Sequence, residues 1–260
     1  MMITGLNKYK KFKFDGYKIA FSKSAMCLNL FMDPRDREEE GKFLKDFLNI
    51  DDIVIDAGAN IGTITIPASL ICSKGRVISI EAHPITYGFL KENIALNNIK
   101  NVVTINKALG NKDGYVNFSD VSSDDQNKIT TNSEGMEVPA TTLDNLLVEY
   151  NINEIALLKI DVEGFEKFVL EGAGKSLDKT NTVYFEVWQK SFEYYNYSFT
   201  DIFTILKEKG FGIFKFNDGV SLTEVDESFR ADVCQNLLAI RSVEGFSART
   251  GYNVQPQQGK

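Results

Sequence analysis

At 260 residues, with 43% hydrophobic and 25% charged residues, the chain has an ordinary globular composition and enough length for one large core. A formal net charge of −7 and a sequence pI near 5.0 disfavour a nucleic-acid partner, which demands clustered cations. The one dense basic stretch, Lys8, Lys10, Lys11 and Lys13, reads as a solvated strand face. Three cysteines, Cys27, Cys72 and Cys234, are odd in number and far apart, which fits a reducing compartment and neither a disulfide framework nor a zinc cluster. No apolar run reaches the roughly 18 residues of a membrane span, and the basic N-terminus leads into no signal-peptide apolar core. The expected location is cytoplasmic.

In chain order, Phe12 and Phe14, then Tyr17, Ile19 and Phe21, then Leu28, Leu30 and Phe31 form short apolar bursts around an Asp15-Gly16 turn, so residues 1–34 are expected to be a small β appendage. Asp33-Pro34 offers a cap and a first-turn proline for a helix with Glu38, Glu39 and Glu40 at its positive end and Phe43, Leu44, Phe47 and Leu48 on its buried stripe. Ile53 to Ile55 is an apolar run without alternation, as in a strand covered on both faces. From there strand and helix alternate, the mark of right-handed crossovers and a parallel sheet. Expected strands are 76–81, 102–106, 155–161 and 182–187, with a short one at 115–118. Expected helices start at Pro84, at Thr141 or Thr142, at Phe165 with an end at Gly172 or Gly174, and at Ser198 with an end at Gly210. Residues 119–135, polar and poor in apolar groups, read equally as a lid or a plain surface insertion. Residues 211–216 and 234–241 are expected to form a terminal strand pair, which makes 35–245 one domain and 246–260, with Gln255, Gln257 and Gln258, a disordered tail.

The stretch Asp56-Ala57-Gly58-Ala59-Asn60-Ile61-Gly62 closes the first sheet strand with glycines where the backbone turns and something approaches closely. In open α/β sheets that turn is the natural ligand site. The dinucleotide spacing G-x-G-x-x-G is broken here and no P-loop lysine follows. An acidic Asp56 ahead of the glycine repels phosphate but suits the ammonium and sulfonium side of S-adenosylmethionine. Glu81, at the end of the second sheet strand, offers acceptors for both hydroxyls of an adenosine ribose; a solvated strand-end carboxylate is the plainer alternative.

Taken together, the turn, Glu81, Thr141-Thr142-Leu143-Asp144, Leu158-Lys159-Ile160-Asp161-Val162-Glu163-Gly164 with Glu166, Val169-Leu170-Glu171-Gly172-Ala173, and Glu186 resemble the FkbM family of S-adenosylmethionine-dependent methyltransferases over about residues 40–190. The resemblance implies a class I, Rossmann-like α/β fold, with helices on both faces of a seven-stranded sheet that is parallel except for its last strand. It also implies S-adenosylmethionine as cofactor and O-methylation of a sugar, glycan or natural product. The cofactor set expected here is Asp56, Gly58, Ala59, Asn60, Gly62, Glu81, Ala82, Lys107, Ala108 and Asp161. Two departures stand out: Ala82-His83 separates Glu81 from Pro84, which brings the single histidine near the site, and Pro67 should kink the first cofactor helix or delay its start.

Methyl transfer is an in-line displacement, so alignment supplies much of the acceleration, while a hydroxyl acceptor still has to lose its proton. Strand parity puts Lys159, Asp161 and, if the strand continues that far, Glu163 on one side, and Glu186 ends the neighbouring strand. Asp161 is the expected base, Glu163 and Glu186 orient acceptor hydroxyls, and Lys159 keeps the carboxylates ionised. A structural ion pair at Lys159, or a helix-capping Glu163, is the alternative. His83 is a lesser candidate base; the oxygen ligands of these groups would suit Mg²⁺, but no tight acidic spacing marks a dedicated metal site. Trp188, Phe192, Tyr194, Tyr195 and Tyr197 would wall an acceptor pocket or pack beneath the next helix. The competing functions are a nicotinamide-dependent oxidoreductase, disfavoured by the broken fingerprint, and a non-catalytic S-adenosylmethionine-binding scaffold. The expected partner is a small-molecule or glycan acceptor, with no nucleic acid and no membrane span.

Overall fold

A computed structural model describes residues 11–33, 35, 37–119, 127–130 and 135–255. Lys8, Lys10, Pro34, part of the 119–135 segment, and Gln257 and Gln258 lie outside the described residues. Asp15 and Gly16 both take positive φ, which suits a tight hairpin turn, and β1 (Lys11–Phe14) pairs antiparallel with β2 (Tyr17–Ala20) as expected. The third apolar burst is not a strand. It forms α1 (Ala25–Met32), because the Ser24 side chain accepts the Cys27 amide at 3.0 Å and starts a helix there. The helix α2 (Glu38–Phe47) follows; Arg37, not Asp33, is the residue that precedes its first turn.

The remaining elements run β3 (Ile53–Ala57), α3 (Thr65–Ile71), β4 (Arg76–Ile80), α4 (Pro84–Leu96), β5 (Val102–Ile105), β6 (Ala108–Leu109), β7 (Gly114–Phe118), β8 (Met136–Thr141), α5 (Leu143–Glu149), β9 (Ile155–Ile160), α6 (Glu166–Glu171) and α7 (Gly174–Leu177). They continue with β10 (Thr180–Val187), α8 (Gln189–Tyr194), α9 (Phe199–Glu208), β11 (Gly212–Asp218), β12 (Ser221–Glu224), β13 (Gln235–Ile240), α10 (Val243–Thr250) and β14 (Asn253–Gln255). Pro67 delays α3: the helix begins two residues before it, so its missing N–H falls among the first-turn donors that have no helical partner anyway. Gly172 ends α6 without a left-handed residue, at φ −83°. Its glycine is needed instead because a Cβ would stand 2.0 Å from the Gly110 carbonyl oxygen.

The main sheet has the order β14-β12-β11-β13-β10-β9-β3-β4-β5 among the described residues. Its β5 to β10 half is parallel and β13 is antiparallel to both neighbours, which is the expected Rossmann-like arrangement. Two strands, β12 and β14, extend the edge beyond the expected seven. A second, three-stranded sheet of order β6-β8-β7 stands beside it. The lack of alternation in the strands has a direct cause. Ile55, Leu158 and Phe185 face α5, α6 and α9, while Val54, Leu157 and Tyr184 face α2, α3 and α10. The expected tail is also ordered from 246 to 255: Ser242 caps α10, Phe246 and Tyr252 are buried, and the Phe246 ring lies 5.6 Å from that of Phe47. Among the described residues no helix is long and apolar enough to cross a membrane.

Candidate active site

Register brings the site together. Ala57 pairs with Ile80 and with Ile160, and Ile160 pairs with Phe185, so the next residues, Gly58, Glu81, Asp161 and Glu186, all emerge at one edge. That edge is where the strand order reverses around β3, the usual ligand crevice of such sheets.

Gly58 has φ +78°, and a Cβ there would lie 1.7 Å from the Asp161 carbonyl oxygen, so the turn can pass the end of β9 only as glycine. The amides of Gly58 and Ala59 both donate to the Ile80 carbonyl at 3.0 and 2.9 Å, which ties the turn to β4. Asn60 takes φ +47°, and its amide donates to Glu81 Oε2 at 2.9 Å. The other oxygen, Glu81 Oε1, accepts the His83 amide at 2.8 Å. Burial pushes this carboxyl up to about 7, against the two amide bonds that favour its charge. Asn106 Nδ2 donates to the carbonyls of Glu81 and Ala82 and fixes that crossing.

Lys159 is buried, donates to the Gly58 carbonyl at 2.9 Å, and lies 3.4 Å from both Asp56 Oδ1 and Asp161 Oδ2. Burial alone would lower its pKa, but the Asp161 and Asp56 carboxylates outweigh that and hold it above the ordinary lysine value. Asp56 is fully buried and accepts the Thr65 hydroxyl at 2.6 Å. After β9, Glu163 and Gly164 take φ +55° and +95°, and Glu166 Oε1 accepts the amides of Val162 and Gly164 at 3.1 Å. Burial pushes Glu166 up to about 7. Glu186 accepts Cys234 Sγ at 2.8 Å; burial, and then the negative charges of Asp161 and Glu166, push it up to about 8. One oxygen from each of Asp161, Glu163 and Glu186 lies within 4.8 Å of the others, a spacing that suits sugar hydroxyls as well as one hard cation.

These groups open into a cleft of about 850 Å³. Gly58, Asn60, Glu81, Ala82, Lys107 and Ala108 line one part of it, and Asp161, Glu163, Glu186, Trp188 and Tyr194 another. Four expected site residues do not reach it. Asp56 is turned beneath the turn onto Thr65 and Lys159, and Ala59 is buried. Gly62 faces the Leu90 and Ile66 side chains, so its openness serves packing. His83 is buried at the start of α4, with Nδ1 at 3.4 Å from the Thr86 hydroxyl. Of the aromatic group only Trp188 and Tyr194 line the cleft. Phe192 is core, the Tyr195 hydroxyl donates to Ile129, and the Tyr197 hydroxyl donates to Gly164. Ser119 and residues 127–130 form the opposite wall beside β7. Cys234, Asn236, Arg37, Met26 and Asn29 also reach the cleft; no local sequence signal marks them, because only tertiary packing carries them there.

The donor set fits an adenosyl cofactor. Each Glu81 oxygen holds one backbone amide and keeps acceptor capacity toward the cleft, and the cleft has room for a nucleoside and a second molecule. Comparison with known proteins agrees: the methyltransferase FkbM domain family matches residues 56–213. Hexuronic acid methyltransferase AglP of Haloferax volcanii is 28% identical over 158 residues, covering 60% of this chain and 64% of AglP. Methyltransferase 1 of Beauveria bassiana is 26% identical over 187 residues, covering 63% of this chain and 73% of the relative. Among solved structures, M. jannaschii TYW2 in complex with AdoMet aligns with a TM-score of 0.48 and 15% identity, over 92% of this chain and 88% of that one. With a family match over more than half its length, the chain belongs to the FkbM family of S-adenosylmethionine-dependent methyltransferases.

Proposed function

We propose that this protein is an S-adenosylmethionine-dependent O-methyltransferase acting on a hydroxyl of a sugar or glycan. The observation that carries the reading is Glu81, a buried carboxylate fixed by two amides at the edge of a cleft whose other part is lined by Asp161, Glu163 and Glu186. When bound, the cofactor supplies an electrophilic methyl group on a sulfonium. Glu81 would accept the ribose hydroxyls, and Gly58, Asn60, Ala82, Lys107 and Ala108 would form the rest of its bed. Asp161 takes the acceptor's proton, with Lys159 at 3.4 Å steadying its carboxylate. Glu163 and Glu186 hold neighbouring hydroxyls. A second reading of the base is Glu186, because burial raises its carboxyl to about 8 and so makes its ionised form a stronger proton acceptor, though a smaller fraction is ionised at neutral pH.

The sugar preference draws on AglP, whose name gives a hexuronic acid as its substrate. The family match gives no support to a nicotinamide cofactor. The experiment is incubation with methyl-labelled cofactor and free hexuronic acids, neutral sugars, glycans and RNA, followed by mass spectrometry of the products. Label on a sugar oxygen supports the proposal. Label confined to RNA, or on no acceptor, contradicts it. Asp161→Asn should lower turnover about 100-fold or more and leave S-adenosylhomocysteine affinity close to wild type; the same loss in Glu186→Gln alone would move the base to Glu186.

A further inference from the structure

Among the described residues, the cations lining the cleft are Arg37, Lys107, Lys128 and Lys159. Their places differ. Lys107 follows β5, beyond the ribose carboxylate on β4. Lys128 lies over the Tyr194 ring at 4.1 Å, on the acceptor side. Lys159 is enclosed by the Gly58 carbonyl and two carboxylates. Arg37 lines the cleft with Met26 and Asn29 of α1 and with Thr63 and Ile64 ahead of α3; Ile64 packs in the cluster that holds Val54 of β3 and Leu157 of β9, and the charge of Arg37 acts on Lys159 of β9.

If the ribose sits on Glu81 with the base toward β5, the amino-acid end would extend across β3 toward β9, the side on which Arg37 lines the cleft and its charge reaches Lys159. Glu40, itself buried, accepts Arg37 Nη1 through both oxygens at 3.0 and 2.9 Å and aims the guanidinium. The Nη2 nitrogen points at Met26 Sδ at 3.6 Å, a thioether, which is a weaker acceptor than a carboxylate.

We infer that Arg37 binds the α-carboxylate of the cofactor's amino-acid end, so that the segment preceding the family domain completes the cofactor site. The family match begins at residue 56, so neither Arg37 nor α1 belongs to the shared domain. The inference rests on the reading of the cleft as an S-adenosylmethionine site.

The test is calorimetry on the full chain with two ligands, S-adenosylhomocysteine and 5′-methylthioadenosine, the second keeping the adenosyl group and sulfur but lacking the amino acid. Arg37→Gln should weaken S-adenosylhomocysteine by about tenfold or more, as expected for losing a charged hydrogen bond, and leave methylthioadenosine within about twofold. Arg37→Lys should recover part of the loss. If Arg37→Gln alone fails to fold, the double variant Arg37→Gln/Glu40→Gln removes the stranded carboxylate and gives the same selective loss. Equal weakening of both ligands, or no change in either, overturns the inference. Wild-type protein that binds neither ligand overturns the cofactor reading itself, and wild-type binding without ligand selectivity overturns Arg37 alone.

Discussion

Glu81→Gln is the most informative single change in the cleft. The native carboxylate accepts the Asn60 amide on one oxygen and the His83 amide on the other. A glutamine keeps only one acceptor, so its NH₂ meets a buried N–H and one ribose hydroxyl loses its partner. A lost hydrogen bond to a charged group is worth about 1.5–3 kcal/mol and the remaining one loses its charge assistance. S-adenosylhomocysteine affinity should therefore fall by about 2–4 kcal/mol, roughly 30- to 1000-fold. The wild type adds a pH signature. Its carboxyl sits at about 7 in the free protein, and ligand hydroxyls favour the charged form. Affinity should fall as pH drops below about 7, by at most about tenfold per pH unit, with a proton released on binding. Calorimetry in buffers of different ionisation enthalpy reads both. Glu81→Gln binding within about threefold of wild type, or wild-type affinity that is flat from about pH 6 to 8, refutes the reasoning.

Gly58→Ala should abolish measurable S-adenosylhomocysteine binding and lower the unfolding free energy by about 3 kcal/mol, because φ +78° strains alanine and its Cβ would sit 1.7 Å from a backbone oxygen; urea unfolding with unchanged midpoint counts against it. Glu166→Ala should cost about 3 kcal/mol by orphaning the Val162 and Gly164 amides, whereas Glu166→Gln, which keeps one acceptor oxygen for both, should cost under about 1.5 kcal/mol. Equal losses in the two variants would assign Glu166 to charge and not to the loop. Stability of the ligand-free protein should decrease with rising pH. Glu81, Glu166 and Glu186 are raised from 4.5 to about 7, about 7 and about 8, so the native state binds these protons more tightly than the unfolded chain does. Their contribution favours folding at low pH and is lost as pH rises from about 4.5 through 8. Denaturation midpoints at about pH 5 and pH 8 measure it, and a higher midpoint at pH 8 contradicts it.

Structure is legible in the sequence where it is local. The Asp15-Gly16 hairpin, the Ile53 to Ile55 strand and the Ser198 helix start, with its capping box on Asp201, each carry their own signal within a few residues. Structure is not legible where local signals conflict. Leu28, Leu30 and Phe31 form an apolar burst too short to separate helix from strand, and the Ser24 cap decided for the helix. The strand β8 contains Pro139, which normally argues against a strand inside a sheet, yet it lies between β6 and β7. Within the site, the positions of Glu81, Asp161 and Glu186 followed from strand ends; that of Glu163 did not, because β9 stops at Ile160 and Glu163 reaches the cleft from a turn at φ +55°. The direction of Asp56 did not, because it depends on Thr65 and Lys159 arriving from other elements. The pairing of Glu186 with Cys234, and the reach of Arg37, join parts of the chain far apart in sequence and leave no local trace.

A crystal structure with S-adenosylhomocysteine would test whether the edge formed by β3, β4 and β9 seats S-adenosylmethionine beside an acceptor pocket. Both ribose hydroxyls should lie on Glu81, the sulfur between Gly58 and Asp161, and open space should remain toward Glu163, Glu186 and Trp188. A ligand seated elsewhere, or one whose sulfur points away from Asp161, would contradict it.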